Sequence, residues 1–359
     1  MKSFLRIVVA LIFIASGFVK AVDVVGFSFK LEEYFSESVF NLPSIGEYSL
    51  IIAVFVVILE LILGFMLLIN YKLKKTLTFL LLLCVFFAFL TFYSAYYNKV
   101  TDCGCFGDAI KFTPWQSFTK DIILLVGLLV IWILYRTKFV ADHSKFKKIA
   151  LGVFFLASLF IITFGIIREP LIDFRNYKIG TDLVQEKKNI AKDPSEYKVF
   201  YTLKNKTSGE DKQIDQDEYI NNKIYWEEGS PWEILQDKTE SKLTKQGYKS
   251  EISKFNISDM SGKDITEELL SAPKAVILFS YDPTNVDEDF LMSIETKIKG
   301  TPETYTLGVS PEKNIFKFLK QATMDGTAIK TIARSNPFVL ILENGKIVDK
   351  LPAKVYLDK

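Results

Sequence analysis

Five long apolar runs fill the first 168 positions of the chain, and no other feature restricts its fold as much. They cover approximately residues 4–21, 50–69, 77–97, 122–135 with a little on each side, and 149–167. A helix needs about 20 mostly apolar residues to cross a bilayer, so each run predicts one transmembrane span. The first begins with Lys2 and Arg6, as a secretory leader would. It continues into Lys20 and Asp23 without a small-x-small cleavage site, which predicts an uncleaved first span.

Hydrophobic residues make up 49% of the chain, yet that figure averages two unlike parts. After Arg168 the composition turns to that of a water-soluble protein rich in Lys, Glu and Asp. The break predicts a membrane part followed by a soluble part. A net charge of +2 with no clustered basic face gives no sign of a nucleic-acid partner. None of the three cysteines lies after residue 168, which excludes thiol chemistry from the soluble half and argues against a disulfide-stapled module. With His143 the only histidine, no metal site is expected.

Orientation follows from the loops, because Lys and Arg concentrate on the cytoplasmic side. The loop after the second run holds Lys72, Lys74 and Lys75 with no acid. The loop after the fourth holds Arg136, Lys138, Lys145, Lys147 and Lys148 against Asp142. Residues 23–48 instead hold Asp23, Glu32, Glu33, Glu37 and Glu47, with Lys30 the lone base. The pattern predicts a cytoplasmic N-terminus in a bacterial inner membrane. The acidic loop, the loop around residue 105 and the whole C-terminal half then lie on the periplasmic side.

That third loop reads Asp102-Cys103-Gly104-Cys105-Phe106-Gly107-Asp108 and holds two of the three cysteines. Gly104 lets the backbone bend between them. A disulfide needs Cα atoms about 4.4–6.8 Å apart, which an i,i+2 pair just reaches in a small ring. Exposed, strained disulfides are the labile and oxidising ones. A reactive dithiol at the membrane surface is one reading; two buried thiols in a tight turn is the bland one. Metal binding would need more ligands than the neighbourhood offers. Asp102 and Asp108 oppose thiolate formation, and Lys99 and Lys111 are the nearby positive charges. Cys84, inside the third run, sits about 28 Å from Cys103 along a straight helix and reads as a small packing residue.

Glu60 falls near the middle of the second run, where a charge is expensive and faces the bundle interior. It can relay protons or hydrogen-bond a quinone or other ligand, or fix helix packing. Lys20 and Asp23 are three residues apart and share a helix face, which predicts a local ion pair more than a ligand site. Tyr93, Tyr96, Tyr97 and Trp115 read as an aromatic belt at the membrane surface or as the walls of a quinone pocket.

The residues 16–23, Ser-Gly-Phe-Val-Lys-Ala-Val-Asp, followed by Gly26 and Glu32-Glu33-Tyr34-Phe35, resemble the first helix and loop of DoxX-type membrane proteins. The cysteine loop, with Asp121 opening the next helix, resembles the signature of the methylamine-utilisation protein MauE. The resemblance covers roughly residues 1–140 and implies a redox-associated four-helix bundle with Cys103 and Cys105 as its redox pair. It implies no role in methylamine metabolism. A second dithiol for relay within the chain is absent from the sequence.

In the soluble half, residues 197–203 alternate like a strand and 206–209 supply a turn, so a hairpin is expected. Trp226 and Trp232 are expected to pack this subdomain. Farther on, residues 255–257 and 263–265 bracket Met260-Ser261-Gly262 as strand, turn and strand. Residues 274–279 form a short apolar run, as in a buried central strand. A polar turn at 281–285 leads into a helix to about Lys299, followed by a strand at 304–309 and a Pro-started helix at 311–319. Residues 338–342 and 347–348 flank Asn344-Gly345, the strongest short hairpin signal. This order resembles a thioredoxin-like fold, with Asn336-Pro337 at the position of that family's cis-proline. No cysteine stands in the turn around Pro283.

The expected fold class is thus an α-helical membrane bundle, four helices like those of DoxX and MauE plus a fifth span, followed by an α/β thioredoxin-like domain. Its parts are residues 1–140, the fifth span at 141–170, a small β-containing subdomain at 171–250, and the thioredoxin-like domain at 251–359. Cys103 and Cys105 are the expected reactive pair, and Glu60, Lys20 and Asp23 the candidate proton or ligand site. Arg334, Asn336 and Pro337 are the candidate surface for a partner, although Arg334 also reads as a solvated charge. The expected role is thiol–disulfide exchange at the periplasmic face with a thioredoxin-like or substrate protein, electrons passing to a membrane quinone if a cofactor takes part. The alternative is a non-enzymatic assembly factor that binds partners through its periplasmic domain.

Overall fold

In a computed structural model, residues 2–97, 99–100, 107–110, 112–136 and 144–359 are described. Five of its helices are long and apolar enough to cross a membrane: α1 (Lys2–Val22), α4 (Ser49–Leu68), α5 (Leu73–Tyr97), α6 (Pro114–Tyr135) and α7 (Lys145–Ile167). Between α1 and α4 run α2 (Val24–Phe35), capped by the Asp23 side chain, and the single turn α3 (Pro43–Gly46). α1 lies along α4 and α5 along α6, around a core that includes Ala10, Val57, Leu77, Leu128 and Ile131. At the far end from Asp23, the buried Arg6 guanidinium donates to the carbonyls of Leu67 and Leu68, orphaned acceptors at the end of α4.

α6 begins eight residues earlier than its apolar run. Thr113 and Gln116 form a capping box, and Pro114 occupies the first turn, where its missing N–H costs nothing. Asp121 therefore lies inside the helix and buried, instead of opening it.

Beyond Arg168 the chain forms two bodies. The larger contains a six-stranded mixed sheet in the order β10-β9-β6-β7-β8-β5. These strands are β5 (Ser258–Asp259), β6 (Lys274–Phe279), β7 (Tyr305–Ser310), β8 (Gln321–Thr323), β9 (Phe338–Glu343) and β10 (Lys346–Pro352). β6, β7 and β8 run parallel, whereas β9 is antiparallel to both β6 and β10. After the exposed Lys274, β6 is apolar because both of its faces are covered. Ala275, Ile277 and Phe279 join one core, while Val276 and Leu278 join another on the opposite face. Helix α11 (Glu288–Lys299) covers the second face through Leu291, Ile294 and Ile298. α12 (Gly326–Ile332) covers the first through Ala328, Ile329 and Ile332. α10 (Thr266–Ser271) precedes β6, and α13 (Ala353–Asp358) follows β10. The β9–β10 turn has positive φ at both Asn344 and Gly345, the backbone that Asn-Gly favours.

The smaller body is an antiparallel sheet of β1 (Glu196–Asn205), β2 (Asp211–Asp215), β3 (Trp232–Ile234) and β4 (Glu240–Lys245), with α9 (Gln216–Asn221) against it. Its core is only Leu203, Ile214 and Tyr225, with Trp232 packed edge-on to Tyr225. Trp226 is half exposed and does not fill that core.

Three expectations need correction. Residues 171–192 do not belong with the small sheet. Tyr177, Leu183 and the helix α8 (Leu183–Lys192) pack into the larger body, so the small sheet is an insertion after α8. Residues 311–319 form no helix, because the fully buried Glu295 carboxylate takes the amides of Lys317, Phe318 and Leu319, which a helix would use internally. Around Met260-Ser261-Gly262 the chain makes a turn with a two-residue strand and one bridge, Ser258 to Asp264.

Glu295→Ala would leave three amides in that loop without their acceptor, at about 1–3 kcal/mol for each that water cannot reach. The expected result is faster amide exchange at residues 317–319, with the amides of β6 unchanged.

Candidate functional site

The membrane bundle and the larger soluble body meet at the Asp23 end of the bundle, and one side chain dominates the contact. Arg334 lies three residues before Pro337, in the loop that leads from α12 to β9, and is 8% exposed. Its Nε donates to Asp23 Oδ1 at 2.8 Å, and its Nη2 donates to Asp23 Oδ2 at 2.7 Å and Asp108 Oδ2 at 2.6 Å. Nη1 donates to the carbonyl of Lys330 at 2.6 Å. A planar guanidinium suits such a two-oxygen grip. Gly26 makes room for it: a Cβ there would lie 2.7 Å from Arg334 Nη2 and 2.5 Å from Asp23 Oδ2. Phe29 of α2 completes the socket, 4.8 Å from Lys330 Nζ and edge-on to Tyr281 at 5.6 Å. Lys330 also reaches Glu32 at 3.3 Å.

Glu169, two residues past α7, continues the contact. It accepts from the amide of Arg334 at 3.1 Å and the hydroxyl of Ser335 at 2.9 Å, and its other oxygen takes Arg175 Nη2 at 2.8 Å. Arg175 Nε donates to Asp173 at 2.7 Å. Lys350 of β10 then donates to Asp173 and to the carbonyls of Tyr177 and Ile332, at 2.7, 2.8 and 2.7 Å. Burial would raise Asp23, Glu169 and Asp173, but Arg334 on the first and Arg175 on the other two hold all three below their ordinary values. Burial, with the like charge of Arg175, draws Lys350 down to about 8; its three acceptors match the three donors of an ammonium.

Arg334 is thus not a solvated charge: within this chain the bundle takes it, through Asp23 and Asp108. Asn336 is committed as well. Its Oδ1 accepts from the amide of Tyr281 and the hydroxyl of Ser280, both at 3.0 Å, and its Nδ2 donates to Asp282 O at 2.7 Å. The Asn336–Pro337 peptide bond is cis. The loop it belongs to faces the membrane bundle through Arg334 and Ser335.

Within the bundle, Lys20 does not pair with Asp23. Its Nζ donates to Glu60 at 2.8 Å and to Ser16 at 2.7 Å, and lies 5.1 Å from the ring centre of Phe87. The chain turns out of α1 at Asp23, so the two residues no longer share a helix face. Lys20 and Glu60 are each 2% exposed. Glu60 therefore meets a lysine in the bundle interior, and the pair shares a small enclosed cavity with Ser16, Cys84, Lys120 and Asp121. Asp121 bonds Lys120 at 2.9 Å and accepts from Thr91 at 3.1 Å, while the Cys84 thiol donates to the Asp121 carbonyl at 3.2 Å. Next to this cluster a groove of about 420 Å³ opens sideways between α1 and α6, lined by Ile12, Trp115, Gln116, Thr119, Lys120 and Ile123. The rings of Tyr93 and Tyr97 lie 4.6 Å apart, tilted by 40°, at the end of α5.

Cys103 and Cys105 lie outside the described residues. The chain is described again from Gly107, whose Cβ position is 3.4 Å from Val19 of α1, and Asp108 is the Arg334 partner just described. Among the described residues no cluster of metal-ligating side chains occurs. The sequence carried no signal for Glu169, Asp173, Arg175 and Lys350, which sit in irregular connections or look like surface charges on a strand. Asp108 was visible only as an acid beside the cysteines.

Residues 1–135 match the protein family described as methylamine utilisation protein MauE. Over 196 residues, 52% of this chain, the sequence is 27% identical to "Protein TlpB" of Flavobacterium psychrophilum. That alignment spans about half the length of the relative (50%). No solved structure matches the chain. The five apolar helices and the MauE match make this a membrane protein with a sheet-rich C-terminal part.

Removing one partner of a buried ion pair costs about 3–5 kcal/mol, because the other charge is left unpaired. Lys20→Met and Glu60→Leu should each lower the thermal midpoint in detergent, and the double variant should lose less than the sum of the two. A second expectation concerns acid. Carboxylates held below their ordinary values stabilise the docked state fully above about pH 4 and lose that contribution as pH falls through their docked values. Energy transfer between dyes on α3 and α13 should therefore hold steady from pH 7 to 5 and fall below about pH 4. In Asp23→Asn the fall should be shallower.

Proposed function

We propose that this is a redox-associated protein of a bacterial inner membrane, in which Cys103 and Cys105 exchange thiol and disulfide equivalents at the periplasmic face. The observation that carries the proposal is the grip on Asp108. Three residues after Cys105 in sequence, the chain is held by an arginine of the C-terminal body. The MauE match over residues 1–135 supports a redox association of the bundle, and the DoxX-type reading of the Lys20–Asp23 turn is consistent with it. The strand order of β6, β7, β9 and β10, with a cis-proline ahead of β9, supports a thioredoxin-like reading of the larger body. The predicted orientation puts the cysteines in an oxidising compartment.

In the exchange, a thiolate of the pair attacks a disulfide of a partner protein and forms a mixed disulfide. The second cysteine displaces the partner's sulfur. Two thiols of the pair become one disulfide, and the partner's disulfide becomes two thiols. Run the other way, two thiols of the partner reduce the pair's disulfide and leave as a disulfide; reoxidation of the pair then releases two electrons and two protons, which a membrane quinone accepts on becoming a quinol. The groove beside Trp115 and Lys120 is where such a carrier would approach from the bilayer. The tail has no cysteine, so its part is to hold the bundle's outer end, not to exchange thiols.

Cys105→Ser should trap Cys103 in a mixed disulfide that a non-reducing gel resolves and a reductant removes. In cells carrying Cys103→Ser, the partner's thiol state should shift on mass-tag labelling. If no adduct accumulates and thiol states match wild type, the redox role is wrong. Exposed Ile220 of α9, with Ile224 and Trp226 in the connection after it, favours the second reading, a non-enzymatic assembly factor. That reading predicts a double Cys→Ser variant with full function and loss of function on deleting residues 180–359.

A further inference from the structure

We infer that the Asp23 end of the bundle is an exchangeable docking surface for a thioredoxin-like edge, and that the chain's own tail is its resident occupant. The inference rests on the thioredoxin-like reading of the larger body proposed above. The surface presents Asp23, Asp108 and Glu32, with Phe29 among them. Every ion pair described across the contact puts an acid of the bundle or its α2 on a base of the tail. Asp23 and Asp108 take Arg334, and Glu32 takes Lys330.

Two observations make the contact a docking surface and not a fused core. First, the apolar clusters stop at the boundary. The bundle's cluster ends with Ile162 of α7 and the tail's begins with Tyr177, and neither contains a buried residue of the other. An interface without a shared apolar core permits relative motion of the two bodies. Second, the receptor is shaped for a guanidinium. Gly26 leaves open the volume a Cβ would take from Arg334, and Phe29 offers its ring to Lys330 at 4.8 Å and to the Arg334 guanidinium at 5.8 Å.

The tail that fills this receptor cannot exchange thiols, because residues 169–359 contain no cysteine. A separate domain with the same strand order, an arginine or lysine about three residues ahead of its cis-proline, and cysteines in the turn equivalent to residues 281–285 would satisfy the same carboxylates. Tethering gives the tail a local concentration in the millimolar range, so a visitor succeeds only when the tail's own grip is weakened.

The test uses two full-length chains, differently tagged, in detergent. Arg334→Asp spoils the tail's edge and keeps the receptor; Asp23→Arg spoils the receptor and keeps the edge. If the surface is exchangeable, the intact tail of one chain docks on the intact receptor of the other. Co-purification of the mixture should then exceed that of wild-type chains, or of either variant alone, at least ten-fold. Adding Gly26→Val to the receptor-bearing chain should return it to background. Association no greater in the mixture than in its components overturns the inference, as does association that Gly26→Val leaves intact. If either variant fails to fold, the milder pair Lys330→Glu and Glu32→Lys carries the same comparison, judged by the same outcomes. No cysteine enters this readout, so it stands or falls apart from the exchange chemistry of Cys103 and Cys105.

Discussion

A buried guanidinium needs acceptors for its N–H groups, and Arg334 draws carboxylates from three separate parts of the chain, two onto the guanidinium and one onto its backbone amide. Asp23 comes from the turn between α1 and α2, Asp108 from the connection between α5 and α6, and Glu169, through the backbone amide, from the end of α7. Each carboxylate alone would be costly to bury. Together they fix the end of α1, the approach to α6 and the end of α7 relative to β9, and so fix the tail on the bundle. The same rule operates deeper in the bundle, where Lys20 and Glu60 neutralise each other between α1 and α4. Charge pairing therefore specifies position at both levels, and apolar packing supplies the bulk of cohesion within each body.

The membrane half was legible because hydropathy acts on long stretches and tolerates local error. All five spans follow from their apolar runs, and only α6 starts far from its run, where a capping box and Pro114 extend it through a polar segment. The central strands were legible for a similar reason: residues 275–279 are apolar on both faces because both faces are covered. The helix expected at 311–319 failed because a buried carboxylate on a distant helix competes for its amides, and no local pattern announces that.

The partners of charged residues were the least legible part. Spacing suggested that Lys20 would meet Asp23, yet each is claimed by a residue far away in sequence, 40 positions off for Glu60 and 311 for Arg334. Helical spacing predicts neighbours only while the helix lasts, and it ends between them. Arg334 looked like a surface charge for the same reason: its partners belong to another body.

The way the small sheet joins the larger body bears on how the chain is assembled as a set of parts. The strands β1 to β4 leave and return at one place, where the amide of Tyr248 donates to the carbonyl of Asp193 at 2.8 Å. The two ends of the excursion are thus already held together by the body that carries them. In polymer terms the insertion is a closed loop whose closure is borne by its host, so its length and content are free to vary while the register of the host sheet stays unchanged.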